Sequence, residues 1–255
     1  MVYYNSMEET QQKEKDGEHH IFHPSFKTKM WLQTSIIAFA LYGFFAAITS
    51  FLDGSLALLT WSKALGGAAA VCIAISFSLS GFCYYFNFLD TKLVYRKYFG
   101  LTGYWFAFAY SISLLFVNPK RYFYGFFDNI FSADFILGIA AMSIFTFMAL
   151  ISNAWAMKAM GPQNWRRGLR LGYFAWLMLA IRAYTIEKDL WMHWWQNLDS
   201  FPPPRMLLSL LVLTVILFRI SIEISKFIKK HKHFINTPQP NAPSAPNASI
   251  NKGID

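Results

Sequence analysis

The chain has 255 residues, 55% of them hydrophobic and 15% charged, with a formal charge of +9 at neutral pH. Soluble domains carry about a quarter charged residues, and here the apolar residues fall into runs of about 20, the length a helix needs to cross the hydrocarbon layer. The basic residues sit in short loops beside those runs, so the positive excess reads as a topology signal rather than as nucleic-acid binding.

Residues 1–29 are polar with mixed charges and read as a disordered cytoplasmic tail. They lack the pattern of a signal peptide, so the first apolar run reads as a retained anchor. His19, His20 and His23 cluster in this tail and read as solvated. The first span is predicted over 30–52 and the second over 65–88. Gly66, Ala70, Ser76 and Ser80 give the second span a small-residue side that suits close helix approach in lipid. Its two cysteines, Cys72 and Cys83, are eleven residues apart on one helix. That is about 16 Å, too far to bridge, so both read as small apolar fillers. The third span covers 101–117, and an aromatic loop follows (Tyr122, Phe123, Tyr124, Phe126, Phe127). The fourth covers 133–157, and Gly161-Pro162 ends any extension of it. The fifth covers 169–186, followed by a loop with Trp191, Trp194, Trp195 and Pro202-Pro203-Pro204. The sixth covers 206–224. Residues 226–255 begin basic and become a Pro/Asn/Ser stretch predicted to be disordered; the sequon at Asn247 reads as chance. The fold class is therefore an all-α integral membrane protein, a six-helix bundle over 30–225 between two polar tails. Barrel strands alternate in polarity, and these runs do not.

Cations in short loops favour the cytoplasmic side. With the N-terminus inside, sixteen Lys and Arg residues fall inside: Lys13, Lys15, Lys27, Lys29, Lys92, Arg96, Lys97, Lys158, Arg166, Arg167, Arg170, Lys226, Lys229, Lys230, Lys232 and Lys252. Five fall outside: Lys63, Lys120, Arg121, Lys188 and Arg205. Both termini are thus expected in the cytoplasm, and the tryptophan-rich loop at the outer headgroup layer. A bacterial inner membrane is the expected location. Two cations remain within spans. Arg219, with Glu223 at i+4, reads as a snorkelling residue near the inner end. Arg182 either snorkels at the outer end or faces the bundle interior and holds an anion or an acidic partner.

Ser152-Asn153-Ala154-Trp155-Ala156-Met157, then Gly161, then Trp165-Arg166-Arg167-Gly168-Leu169-Arg170-Leu171-Gly172-Tyr173 resembles the stretch leading into the fifth helix of ferric reductase-like transmembrane domains. The type is the haem-binding membrane subunit of the bacterial methionine sulfoxide reductase system. Arg96-Lys97-Tyr98-Phe99-Gly100-Leu101 is similar to that family's Arg-Arg-x-x-Gly-Leu at the start of helix 3. Trp61-Ser62-Lys63-Ala64-Leu65 roughly resembles the start of helix 2. The match covers about residues 60–225. The resemblance implies a six-helix bundle that binds haem b through histidines facing each other and passes electrons across the membrane.

The ligand positions that this resemblance implies are occupied by Tyr110, Leu169 and Arg182. All six histidines, His19, His20, His23, His193, His231 and His233, lie outside the predicted spans, so a bis-histidine haem is not expected. Met142, Met148 and Met178 read as packing, and Tyr110, although tyrosine can ligate haem iron, lacks a partner ligand. His193 beside Trp194 and Trp195 reads as an interfacial residue. There is no Gly-rich phosphate loop, no HExxH and no paired carboxylate in a span; a metal site is not expected. The leading expectation is a haem-free relative, not catalytic alone, acting as an accessory, scaffold or ligand-binding protein with the lipid bilayer and a soluble or membrane protein as partners. Arg182 is its ligand or partner candidate. The alternatives are an electron-transfer oxidoreductase subunit using flavin, quinone or atypically ligated haem, and a small transporter or channel.

Overall fold

In hydrocarbon each backbone N–H and C=O must be bonded within the protein, which leaves helices for continuous apolar runs. The structure, a computed structural model, describes residues 26–54, 57–86, 92–198 and 201–236. All regular elements among them are helical: α1 (Phe26–Asp53), α2 (Leu58–Tyr85), α3 (Tyr95–Val117), a π-helical turn (Lys120–Tyr124), the short α4 (Phe126–Asn129), α5 (Ala133–Ile151), α6 (Ala154–Asn197) and α7 (Pro204–Asn236). Five of them, α1, α2, α3, α5 and α7, contain stretches long and apolar enough to cross a membrane. Large apolar side chains point outward all round; Phe51 is 88% exposed, Phe131 87% and Phe127 82%. A surface of that kind calls for a lipid surrounding. The chain is a multi-pass, all-α membrane bundle.

The fifth predicted span lies inside α6, which is 44 residues long and outside that apolar set because Arg166, Arg167, Arg170 and Arg182 interrupt it. Two breaks divide α6. Gly161 has φ 76° and ψ 155°, a left-handed conformation open to glycine, and Glu187 has φ −119° and ψ 19°. Between the breaks, the middle section lies antiparallel along α5. Trp165 Nε1 donates to the Ile151 carbonyl at the last turn of α5 (2.9 Å), and Arg182 Nε donates to the Asp134 carbonyl at its first turn (2.8 Å).

Several predicted boundaries move, and each shift has a local cause. α2 begins at Leu58 rather than 65 because Ser62 satisfies its hydroxyl on the Leu58 carbonyl of the preceding turn (2.9 Å). α3 begins at Tyr95, taking Arg96 and Lys97 into its first turn. The fourth predicted span stops at Ile151 rather than 157, since Asn153 caps a new helix: its Oδ1 accepts from Ala156 N (2.7 Å). The tryptophans predicted in a loop at 191–195 stand on the last section of α6. α1 begins at Phe26, within the predicted tail, and α7 runs on to Asn236. The remaining tail expectations, including His19, His20, His23 and Asn247, lie outside the described residues.

Glycines set the closest approaches. A Cβ at Gly103 of α3 would lie 2.7 Å from Ile73 Cγ1 and 3.1 Å from the Ile73 backbone nitrogen of α2. Gly67 is held as tightly against Phe45 of α1, and Gly81 against Phe218 and Ile222 of α7. Of the predicted small-residue side, Gly66 carries the Tyr110 ring, and Ser76 Oγ donates to the Arg96 carbonyl of α3 (2.7 Å), whereas Ser80 bonds back to Phe77 of its own helix (3.0 Å). Gly103→Val should therefore cost about 1–3 kcal/mol by overpacking against backbone, seen as a lower thermal midpoint in detergent. Gly43→Ala, with nothing within 4 Å of the new methyl, should leave it unchanged or slightly raised.

Candidate functional site

The bundle has two chemically different ends. One gathers the start of α1, the end of α2, the start of α3, the α5–α6 junction and the far part of α7, with Lys27, Lys29, Lys92, Arg96, Lys97, Lys158, Arg166, Arg167, Arg170 and Lys226. The other carries the aromatic turn after α3 and the tryptophans of α6. At this aromatic end Asp134 organises the start of α5. Its carboxylate accepts from Arg121 Nη2 (2.7 Å) and Ser132 Oγ (2.8 Å), and its backbone carbonyl accepts from Arg182 Nε. Nearby, Glu187 at the second break of α6 takes Arg205 Nη1 (2.8 Å) and Trp191 Nε1 (3.3 Å). Arg121 and Arg205 are each about two-fifths exposed, so these pairs fix geometry more than they add stability.

The three positions singled out by the resemblance have separate settings. Tyr110 on α3 lies over Gly66 of α2, its ring carbons 3.6 Å from where a Cβ would stand. Leu169 lies in the turn of α6 that packs through Gly168 on Ile151 and Phe147. Arg182, thirteen residues further along α6 or about 20 Å, rests its guanidinium over Gly138; a Cβ there would be 3.1 Å from Nε. Its Nε is committed to the Asp134 carbonyl at the other end of the α5–α6 pair from Leu169. His193 is exposed on the last section of α6, where Asn197 Nδ2 lies 3.1 Å from its Nε2. Among the described residues no group of three His, Cys, Asp or Glu side chains could hold a metal ion.

The middle of the bundle is occupied by aromatic rings. Trp176 of α6 is 1% exposed. Phe77 of α2 stacks on Tyr173 of α6 (centroids 4.5 Å apart) and meets Trp176 edge-on (5.5 Å). Phe145 and Ala141 of α5 and Val212 and Val215 of α7 complete the core. These rings bridge α2 and α6, which make few close backbone contacts. Gly172 makes room for them, with Phe77 Cζ and Met148 Sδ each 2.6 Å from where its Cβ would be. The positions where the resemblance implies haem ligands carry phenol, isobutyl and guanidinium groups instead of imidazoles, so these residues do not fit a bis-histidine haem b.

Towards the basic end, Arg219 of α7 stands over the Tyr173 ring of α6. Arg219 Cζ lies 5.8 Å from the centre of the Tyr173 ring, and its Nη2 is 2.6 Å from Glu223 Oε1. The predicted Arg219–Glu223 pair is thus formed, and Arg219 also faces inward to the ring. On the outer side of the same end, a groove of about 510 Å³ runs between α1 and α3, walled by Ile36, Ile37, Leu79 and Phe99. At its rim Tyr95 donates to Gln33, and Lys92 Nζ lies 5.7 Å from the centre of the Tyr95 ring.

No protein-family model matches the chain, and a search of curated proteins returns no match.

Trp176→Ala should cost about 3–5 kcal/mol, the loss for a buried tryptophan that leaves a cavity, read as the shift in thermal or denaturant unfolding. Arg182→Met should cost about 1–3 kcal/mol, since the apolar replacement leaves the Asp134 carbonyl without its charged donor.

Proposed function

We propose that this protein is a haem-free relative of the ferric reductase-like transmembrane domains, serving as an accessory or scaffold subunit in a bacterial inner membrane. The observation that carries the reading is the chemistry of the positions where the family's ligands would stand: Tyr110 on α3 and Leu169 and Arg182 on α6 offer no imidazole, and Arg182 Nε is committed to the Asp134 carbonyl. The motif similarity at 96–101 and 152–173 supports the family assignment. Asn153 and Trp165 of that motif cap the α5–α6 junction, so part of the motif's role is structural.

The same reading takes the middle section of α6 as a sixth crossing. It runs beside α5 from Ile151 to Asp134, so whatever depth α5 spans, α6 spans with it. Its cations lie at its two ends, where long side chains reach the headgroups. Six crossings place both termini and the basic end in the cytoplasm, in keeping with the excess of cations there.

A dithionite-reduced minus oxidised spectrum of the detergent-purified protein, with a pyridine haemochrome assay, is expected to show no b-type bands. Stoichiometric haem or a bound flavin would sink the haem-free reading and return the chain to electron transfer. Single cysteines introduced at Lys158 and Lys188, in a background lacking Cys72 and Cys83, test the crossing. A membrane-impermeant maleimide added to intact cells should label position 188 and spare 158. Equal labelling would remove the sixth span.

A further inference from the structure

The groove between α1 and α3 has walls and a rim of different chemistry. Its floor is fixed. Phe99 of α3 is buried with Ala38 of α1 and Cys72 of α2, and Leu79 and Tyr95 pack against that cluster. Its outer wall, Ile36 and Ile37 of α1, is exposed. The groove therefore opens sideways, to the hydrocarbon around the bundle. Its volume of about 510 Å³ lies within the ~300–1,000 Å³ of small-ligand sites.

The rim stands at Gln33, Tyr95 and Lys92, one helical turn nearer the basic end than Ile37 and Phe99. Tyr95 donates its hydroxyl proton to Gln33 Oε1, which ties α3 to α1 and sets the direction of the amide. The oxygen of Gln33 is thereby occupied, and its NH2 group keeps two donors. Lys92 Nζ stands 5.7 Å from the centre of the Tyr95 ring and adds a charged donor. Lys29 lies one turn before Gln33 on the same side of α1. Among the described residues that line the groove, none is acidic. The occupant that complements this arrangement has an anionic, acceptor-rich head joined to an apolar tail.

Two features choose among the components of a membrane. The walls run for one turn, from Gln33 to Ile37 on α1 and from Tyr95 to Phe99 on α3, about 6 Å each. A partner helix packs along a seam of several turns, so the groove suits an acyl chain. The cationic rim lies at the headgroup layer of the basic end, where clustered lysines attract anionic lipid and basic pockets between helices hold its headgroups.

We propose that this groove binds one anionic phospholipid of the leaflet at the basic end. One acyl chain lies against Ile36, Ile37, Leu79 and Phe99, and the phosphate sits at Lys92 and the Gln33 amide. The site uses none of the haem-ligand positions and does not depend on the haem-free reading.

The test uses the full-length protein, delipidated in a neutral detergent at fixed ionic strength. Its thermal midpoint is followed against phosphatidylglycerol added to the micelles, with phosphatidylcholine of the same chains as control. A ligand that binds only the folded state raises the midpoint with concentration. Phosphatidylglycerol should stabilise the protein at concentrations where phosphatidylcholine does not. Lys92→Gln should weaken the apparent affinity about fivefold, the scale of one cation at an anionic lipid surface. Ile37→Trp, at a position 45% exposed, fills the groove from its outer wall; it should abolish the response and leave the lipid-free midpoint near that of the wild type. Lys92→Gln keeps the test decisive if Ile37→Trp does not fold. Lys158→Gln, at the same end and outside the groove lining, should respond as the wild type does. Equal stabilisation by both lipids, or none by phosphatidylglycerol, overturns the proposal. So does an undiminished response in Lys92→Gln or in Ile37→Trp, and so does a loss in Lys158→Gln as large as that in Lys92→Gln, which would mark a general surface-charge effect.

Discussion

The separation between α2 and α6 is set by rings. Phe77, Tyr173 and Trp176 stand between two helices whose backbones seldom approach, and the other elements are arranged around that wedge. Helices in lipid gain little from hiding apolar surface from one another, so association depends on packing and on the few polar contacts available. A wedge of three large rings supplies dispersion contacts to α2, α5, α6 and α7 at once.

Around the wedge the molecule uses the opposite device. Gly67, Gly81 and Gly103 bring α1, α3 and α7 against α2 so tightly that a methyl group would meet a neighbour. α2 is accordingly the most enclosed of the membrane-length helices. Close contact on three sides of α2 and wide spacing on the fourth make the bundle asymmetric. Polar bonds then pin its ends: Tyr84 to Ser225 and Tyr85 to Ser221 between α2 and α7, Tyr95 to Gln33 between α3 and α1, and Arg182 to Asp134 between α6 and α5.

The apolar runs were legible in the sequence because a span must be continuous, and α1, α3, α5 and α7 lie close to where those runs place them. The edges were less legible, for a consistent reason. Ser62 and Lys63, or Arg96 and Lys97, look like loop residues by polarity, yet a hydroxyl can bond back to its own helix and a long cation can reach the headgroup layer. The extent of α6 was hidden the same way by its arginines and by Gly161, which breaks the helix without ending it. The site was less readable still. Arg182 stood out as a charge in an apolar run, but its partner is a backbone carbonyl, which no residue pattern announces. Arg219 and Tyr173 come from separate segments, and only the fold sets the guanidinium over the ring.

The short connection between α5 and the middle section of α6 has a consequence for biosynthesis. Residues 152–161, which include the first section of α6 capped by Asn153, separate the two. On the six-span reading, α5 and α6 leave the ribosome as one helical hairpin. The cost of translocating Arg182 then falls on a pair of helices in which Asp134 is already synthesised and can receive its N–H. A connection that short brings the two segments into the membrane in close succession. A longer linker at this point would uncouple the two insertions and leave the arginine to cross without its acceptor.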